Sequence, residues 1–348
     1  MSFTRRTGLL ATAAVVALAL SACAQRAPAA IEPAAQQGSG FPVTIEHLYG
    51  TTRIPADPQR IATVSWVNAD AVLALGVVPV GMAKDTWGNN EQGSTPWKDA
   101  KLTELGAPIG SEKAPVQYDE TDGVNFTEMA KLSPDLIVAA YSGMTEEDYA
   151  KLSKIAPVIG PIAENYTTSW QQAITAVGKA LGRDAQAATT VLDLETQLAS
   201  AAQEHPVFKD ATFIAGNLEP GKGGINLYAG GDNRPRFLAS LGMKQAPLVD
   251  ANTPKGKFFV NWSAERANEL DSDVFFTWLP KGTSNESIAA HKLFGQIPAV
   301  RKGGLAAISD DTLTLAISAS SPLSLPWAMD TMVPLLADAA EAAKASGK

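Results

Sequence analysis

Two stretches of the chain spell nearly the same phrase: Val124 to Leu136 reads VNFTEMAKLSPDL, and Val260 to Val274 reads VNWSAERANELDSDV. In each, a Val-Asn pair ends an extended segment, and Thr127 or Ser263 is placed to cap a short helix. The helix runs to Leu132 or Leu270, and Asp135 or Asp273 then leads into an apolar strand. Each copy reads as one helix-to-strand unit of an α/β layer. Its recurrence points to two lobes of like construction.

The segments around the copies agree. Ile61 to Val64, Val77 to Met82, Asp135 to Ala140 and Pro157 to Ile159 are short apolar runs that read as buried strands. Asn68 is placed to cap a helix through Leu75, with Gly76 as its stop, and a further helix is expected over Glu146 to Ile155. From Thr168 to Glu204 the pattern is helical: Trp170, Ile174, Val177 and Leu181 share one face, as do Val191, Leu194 and Leu198. Asp184, after Gly182, is expected to cap one helix running to Glu204, about 30 Å long. Strands are then expected at Ala211–Ala215, Gly224–Ala229, Lys257–Val260 and Asp273–Trp278, and helices at Arg236–Leu241, Ser263–Leu270, Glu286–Lys292 and from Pro322 to the end. The predicted organisation is an α/β lobe over residues 41–167, a helical linker over 168–205 and a second α/β lobe over 206–348.

The chain begins with Arg5 and Arg6, an apolar run from Gly8 to Leu20, and Leu20-Ser21-Ala22-Cys23. A basic start, a short apolar stretch and small residues before a cut site make a secretory signal over residues 1–22, too short to span a bilayer comfortably. Leu-Ser-Ala-Cys resembles the bacterial lipobox, in which the cysteine is lipidated and becomes the mature N-terminus. Residues 23–40, rich in Ala, Pro, Gln and Gly, then form a flexible tether. The expected product is anchored by lipid at the cell membrane and faces the extracytoplasmic side. Cys23 is the single cysteine, so no intrachain disulfide forms.

Ligands collect beyond the carboxyl ends of strands in open parallel sheets. In the first lobe this selects Trp66, Trp87 and Tyr141; in the second it selects Asn217, Tyr228, Arg234, Arg236 and Trp278. Aromatic walls with cations suit a bulky, polarisable ligand with oxygen-rich or anionic parts. Strand-end packing is the competing role for the two tryptophans at 66 and 278, and Trp327 is assigned to packing. Arg234 and Arg236 flank a proline at a helix start, where two cations oppose the dipole. Either an anionic ligand or a buried carboxylate would compensate them.

The net charge of −8 argues against nucleic-acid binding. There is no G-x-S-x-G, H-E-x-x-H or G-x-x-x-x-G-K-[ST] motif, and GKGGIN at Gly221–Asn226 matches a nucleotide loop only loosely. The three histidines, His47, His205 and His291, share no ligand spacing, so no protein-bound metal is expected. Binding rather than turnover is the expected activity; a tethered cell-wall enzyme is the remoter class.

GTTRIPADPQRIATVSWVNADAVLALGVVPVGM and MAKLSPDLIVAAYSGMTEEDYAKLSKIAPV resemble the periplasmic binding proteins of iron-siderophore and vitamin B12 ABC importers. The motif G-x-x-x-I-P-x-x-P-x-R falls at Gly50–Arg60, and Ser133-Pro134-Asp135-Leu136-Ile137 adds to it. The resemblance implies two Rossmann-like lobes with parallel-rich sheets joined by one long helix, a shallow cleft between them, and delivery of the cargo to a permease. It also implies one docking carboxylate per lobe, here Glu146 or Glu147 and, by the internal repeat, Glu286. The implied cargo is a ferric siderophore bound by a single copy of the chain, with haem or a cobalamin as the alternative. No cofactor is implied, because the siderophore itself chelates the iron.

Overall fold

The inner strands of the first half, Ile61–Thr63, Gly81–Ala83 and Leu136–Val138, are short and wholly buried, as expected where helices cover both faces of a parallel sheet. The computed structural model describes residues 40–346. The expected leader, Cys23 and the tether up to residue 39 lie outside the described residues. In chain order the first lobe holds a hairpin, β1 (Val43–His47) and β2 (Gly50–Ile54), then β3 (Ile61–Thr63), α1 (Asn68–Ala74), β4 (Gly81–Ala83), α2 (Pro96–Glu104), β5 (Val116–Tyr118), α3 (Phe126–Leu132), β6 (Leu136–Val138), α4 (Glu146–Leu152) and β7 (Val158–Ile159). Its 5-stranded sheet has the order β5-β4-β3-β6-β7, with every pairing parallel.

Two helices follow, α5 (Trp170–Ala180) and α6 (Asp184–Glu204), separated by Gly182 in the left-handed conformation at φ 62°. Ser169 opens α5 with a capping box to Gln172. Asp184 does not cap α6; it is the first helical residue after Arg183, which makes no side-chain cap. Along the 21 residues of α6 only Ala187, Leu194 and Leu198 are buried, so one narrow stripe fastens the rod. Each buried leucine contributes about 1.5–3 kcal/mol.

The second lobe runs β8 (Thr212–Asn217), β9 (Gly224–Tyr228), α7 (Asn233–Ser240), β10 (Lys244–Gln245), α8 (Pro247–Asn252), β11 (Phe259–Ser263), β12 (Val274–Trp278), α9 (Asn285–Ala290), α10 (Pro298–Arg301), β13 (Leu305–Ile308), α11 (Asp311–Ser318) and α12 (Ser324–Ser346). Its 6-stranded sheet has the order β11-β9-β8-β12-β13, with β10 also on β8. β10, β8, β12 and β13 are parallel, whereas β9 and β11 add an antiparallel edge.

The two copies of the repeated phrase do the same work through their aspartates. Asp135 accepts from the backbone N–H groups of Gln59 and Arg60, both at 2.8 Å, where β3 begins. Asp273 accepts from the Thr212 N–H at 2.8 Å and its hydroxyl at 2.7 Å, where β8 begins. Each aspartate fixes its own strand beside the neighbouring one. The expected caps differ from those seen. Asn125, not Thr127, caps α3 by accepting from Glu128 N, and Ser263 makes no cap bond. The second helix is a 3-10 turn over Ala264–Glu269, kinked at Arg266. Asn68 likewise does not cap α1. Its side chain turns back to the ends of β3 and β6.

One apolar cluster spans both lobes, from Ile61 and Leu136 through Ile174 and Leu194 to Phe213 and Met332. The elbow between α11 and α12 belongs to the first lobe by its packing. Leu323 lies against Ala69, Leu73, Met82 and Leu102. Trp327 tilts over buried Trp97 at 5.2 Å, yet is itself 38% exposed rather than core.

Candidate ligand-binding site

Past β3 the chain turns sharply at Ser65, in the left-handed region at φ 67°, and presents Trp66 to solvent with 45% of its surface exposed. Past β6, Tyr141 is pinned by Asn68, which donates to its carbonyl at 2.9 Å and accepts from its N–H at 3.0 Å. Asn68 also donates to the Val64 carbonyl, so one buried amide ties together the strand ends that carry both aromatics.

Tyr166 joins them from the loop after β7. It follows Asn165, and both are left-handed, at φ 50° and 61°. Its ring stacks on Trp66 at 5.8 Å and 14°, and tilts against Tyr141 at 5.6 Å. A Cβ at Gly143 would come within 2.4 Å of this ring, so glycine there admits the close approach. Tyr166 was absent from the residues selected from sequence, although the strand-end rule, applied to the loop beyond Pro157–Ile159, reaches it.

Past β4, Trp87 is also 45% exposed. Gly88, at φ 65°, seats this loop on α11: a Cβ there would lie 2.7 Å from the Asp311 carbonyl oxygen. Trp66, Asp85, Thr86, Trp87 and Leu315 line a hollow of about 260 Å³. Beneath it runs a buried network. Lys98 donates to Asp85 at 2.7 Å and lies 3.7 Å from Asp70, which accepts from Trp97 Nε1 at 2.8 Å and from Ser321 Oγ at 2.6 Å. Burial raises the Asp70 carboxyl to about 6 against the pull of Lys98. A larger hollow of about 640 Å³, lined by Trp170, Glu195, Arg236 and Ser240, lies against helices rather than strand ends.

In the second lobe Tyr228 and Trp278 stack at 5.5 Å and 28°. The Arg234 guanidinium lies over Tyr228, 3.5 Å from its centroid, and 5.1 Å from that of Trp278. Asp232 caps α7 by accepting from Arg234 N, and it grips the same guanidinium at 2.7 and 2.6 Å. The group that compensates Arg234 at this helix start is therefore a buried carboxylate. Burial pulls the guanidinium's affinity for its proton down, but Asp232 outweighs this and the net shift is upward. Burial pushes the Tyr228 phenol up to about 12, with Arg234 opposing. Burial likewise raises Tyr141, with Asp232 adding to the rise and Arg234 opposing it.

Arg236 donates to the Thr167 carbonyl at 2.7 Å, in the same loop as Tyr166. The Ser318 carbonyl at the end of α11 accepts from Tyr141 Oη at 3.3 Å and from Asn233 Nδ2 at 3.2 Å, one donor from each lobe. Trp66, Tyr166 and Tyr141 thus form one set of neighbours and Arg234, Tyr228 and Trp278 a second, and the Ser318 carbonyl joins Tyr141 to Asn233, next to Arg234 in sequence. Asn217 stands apart in role: its amide donates to Glu219 at 2.7 Å and accepts from Asn226 N at 3.0 Å, within the β8–β9 turn.

The exposed acids repeat as well. Thr145 and Ser284 each close a capping box, and Glu147 and Glu286 each stand two residues beyond the cap. Glu146 is also exposed, one residue past its cap. Among the described residues, no group of three or more His, Cys, Asp or Glu stands close enough to hold a metal ion, and no helix is long and apolar enough to cross a membrane.

The profile of a family described as periplasmic binding protein matches residues 61–312. The probable siderophore-binding lipoprotein YfiY of Bacillus subtilis is 26% identical over 292 residues, 78% of this chain and 82% of that protein. The ferric enterobactin-binding periplasmic protein FepB of Escherichia coli is 26% identical over 298 residues, 81% of this chain and 88% of that protein. The crystal structure of Streptococcus pneumoniae PiaA in complex with ferrichrome superposes with a TM-score of 0.78 at 31% identity, covering 86% of this chain and 99% of that one.

Proposed function

The chain belongs to the periplasmic binding protein family, and from that premise we infer that it captures a ferric siderophore outside the cytoplasm and delivers it to an ABC importer. The observation that carries this reading is the aromatic wall shared by two lobes around the Ser318 carbonyl. Trp66, Trp87 and Tyr141, joined by Tyr166, hold one side of the organic ligand by stacking and apolar contact. Tyr228 and Trp278 hold the other, and the cations of Arg234 and Arg236 meet its oxygens. Asn217 reaches the ligand only by giving up its bonds within the β8–β9 turn.

The protein is a carrier and not a catalyst. Iron arrives already chelated, so the protein needs no metal ligands or resident cofactor. Glu147 and Glu286, matched by their caps, are the pair that docks on the permease, with Glu146 beside the first. Lipidation at Cys23 keeps a single copy of the chain at the membrane surface.

The test is tryptophan fluorescence titrated with ferric hydroxamates, catecholates and carboxylates. Saturable quenching by at least one class is expected. Silence toward all of them ends the reading, and a Soret or corrin absorption in the purified protein replaces it with haem or a cobalamin.

A further inference from the structure

The corner that carries Trp66 is held by a backbone bond to a carboxylate. The Ser65 N–H donates to Glu120 Oε2 at 2.8 Å, and Ser65 is held at φ 67°. A left-handed residue other than glycine costs roughly 1–2 kcal/mol, so the corner needs a partner to persist. Glu120 follows the end of β5 and is half-buried as a residue, but its Oε1 is closed from solvent and has no hydrogen-bond partner among the described residues. The Thr63 hydroxyl, at the end of β3, is buried and unpartnered too.

We propose that Glu120 is the positioning residue for Trp66, acting through the backbone of Ser65, and that a proton taken up by this carboxyl loosens the indole wall. A carboxylate accepts from an N–H about twice as strongly as a neutral carboxyl. The charge therefore holds the corner and its loss relaxes it. Burial raises the Glu120 carboxyl to about 7, with the Ser65 bond opposing, so the change falls near neutral pH.

Among the described residues, no cation pairs with Glu120. On its own segment, Tyr118 donates its hydroxyl to the Thr63 carbonyl, and its phenol is raised by burial and then by the Glu120 charge. Asp119, next in sequence, is lowered mainly by bonds from Thr121, and Lys84 beyond β4 pulls on Asp119. From β3 and its corner come only the uncharged Thr63, Ser65 and Trp66. From the α3 cap comes Asn125, also neutral, which donates to the Asp119 carbonyl.

The positioning role stands on this geometry alone; its consequence for capture rests on the siderophore reading. The test begins with the full ligand-free chain. Trp66 emission, taken as wild type minus Trp66→Phe, is followed from about pH 5 to 9. The expected result is a shift with a midpoint near 7 that is absent in Glu120→Gln, whose amide oxygen still accepts from Ser65 N–H. Glu120→Leu should give the relaxed emission at every pH while unfolding cooperatively. A Trp66 signal that does not titrate in wild type, or titrates identically in Glu120→Gln, overturns the proposal.

The second arm uses ferrichrome as the probe. Its Kd should rise about threefold from pH 8 to pH 6 in wild type and stay flat in Glu120→Gln. Equal pH dependence in both proteins counts against the proposal. Absence of ferrichrome quenching at any pH counts against this probe as cargo, and the ligand-free titration still decides the role of Glu120.

Discussion

Arg234 and Asp232 form a closed pair two residues apart: the carboxylate receives Nε at 2.7 Å and Nη2 at 2.6 Å while the guanidinium lies over Tyr228, 3.5 Å from the ring centroid. The wall thus presents a guanidinium whose orientation is set, and whose charge Asp232 balances, before any ligand arrives. Such preorganisation lowers the entropy cost of binding.

Removing one member of this pair isolates the other. Arg234→Met should lower the unfolding free energy by roughly 3 kcal/mol, because a buried carboxylate loses its counter-charge. Adding Asp232→Asn should restore part of that loss. Urea denaturation of the single and double variants checks both, and a stable single variant would show that solvent reaches Asp232.

The exposed indoles carry contact area rather than fold stability. Trp66→Ala and Trp87→Ala should each weaken ferric-ligand binding about tenfold, equivalent to about 1.4 kcal/mol, while Trp66→Phe keeps most of the affinity. Thermal unfolding of all three should stay near wild type, because both side chains are 45% exposed. Calorimetric titration of each variant separates the two quantities.

Glu147 and Glu286 occupy the same place relative to their caps. Replacing both with alanine should abolish ligand-driven stimulation of a reconstituted permease. Stability should move by no more than about 0.5 kcal/mol, and ligand affinity should be unchanged. Glu146→Ala should have the smaller effect on transport.

Asp70 predicts a pH effect on folding. Its carboxyl rises from 3.8 to about 6 on folding. A raised carboxyl binds its proton more tightly in the native state, so its contribution is full below 3.8 and is lost as pH rises through about 6. Asp70→Asn should remove this component. The stability of wild type minus that of the variant should therefore fall between pH 4 and pH 7 in urea titrations.

Local rules carried the sequence reading a long way. Gly182 and Asp184 marked where α6 starts, and Val191, Leu194 and Leu198 its apolar face. The strand-end rule led to Trp66, Trp87, Tyr141 and Trp278, at or just past the ends of β3, β4, β6 and β12, whereas Tyr228 closes β9, which is antiparallel to β8, so the rule for parallel strands does not account for it. Non-local features were opaque. Nothing near Ser318 or Leu323 announces that the end of the chain folds back into the first lobe. Asn68 looks like a cap because its neighbours are helical, but the partners that redirect it, Val64 and Tyr141, arrive only with the sheet. Tyr166 lies well past the strand expected at Pro157–Ile159, and the left-handed backbone at Asn165 and Tyr166 that accompanies its stacking on Trp66 is not marked by any pattern. Asp232 was visible beside Arg234, but that its charge is spent there depends on burial, which spacing does not encode.

Hydrogen–deuterium exchange with and without a quenching ferric siderophore tests the two-lobed grip most directly. The prediction is simultaneous protection of 65–68, 85–88 and 141–143 in the first lobe and of 228–236 and 278–280 in the second. Protection restricted to one lobe, with the other exchanging as in the free protein, would contradict it.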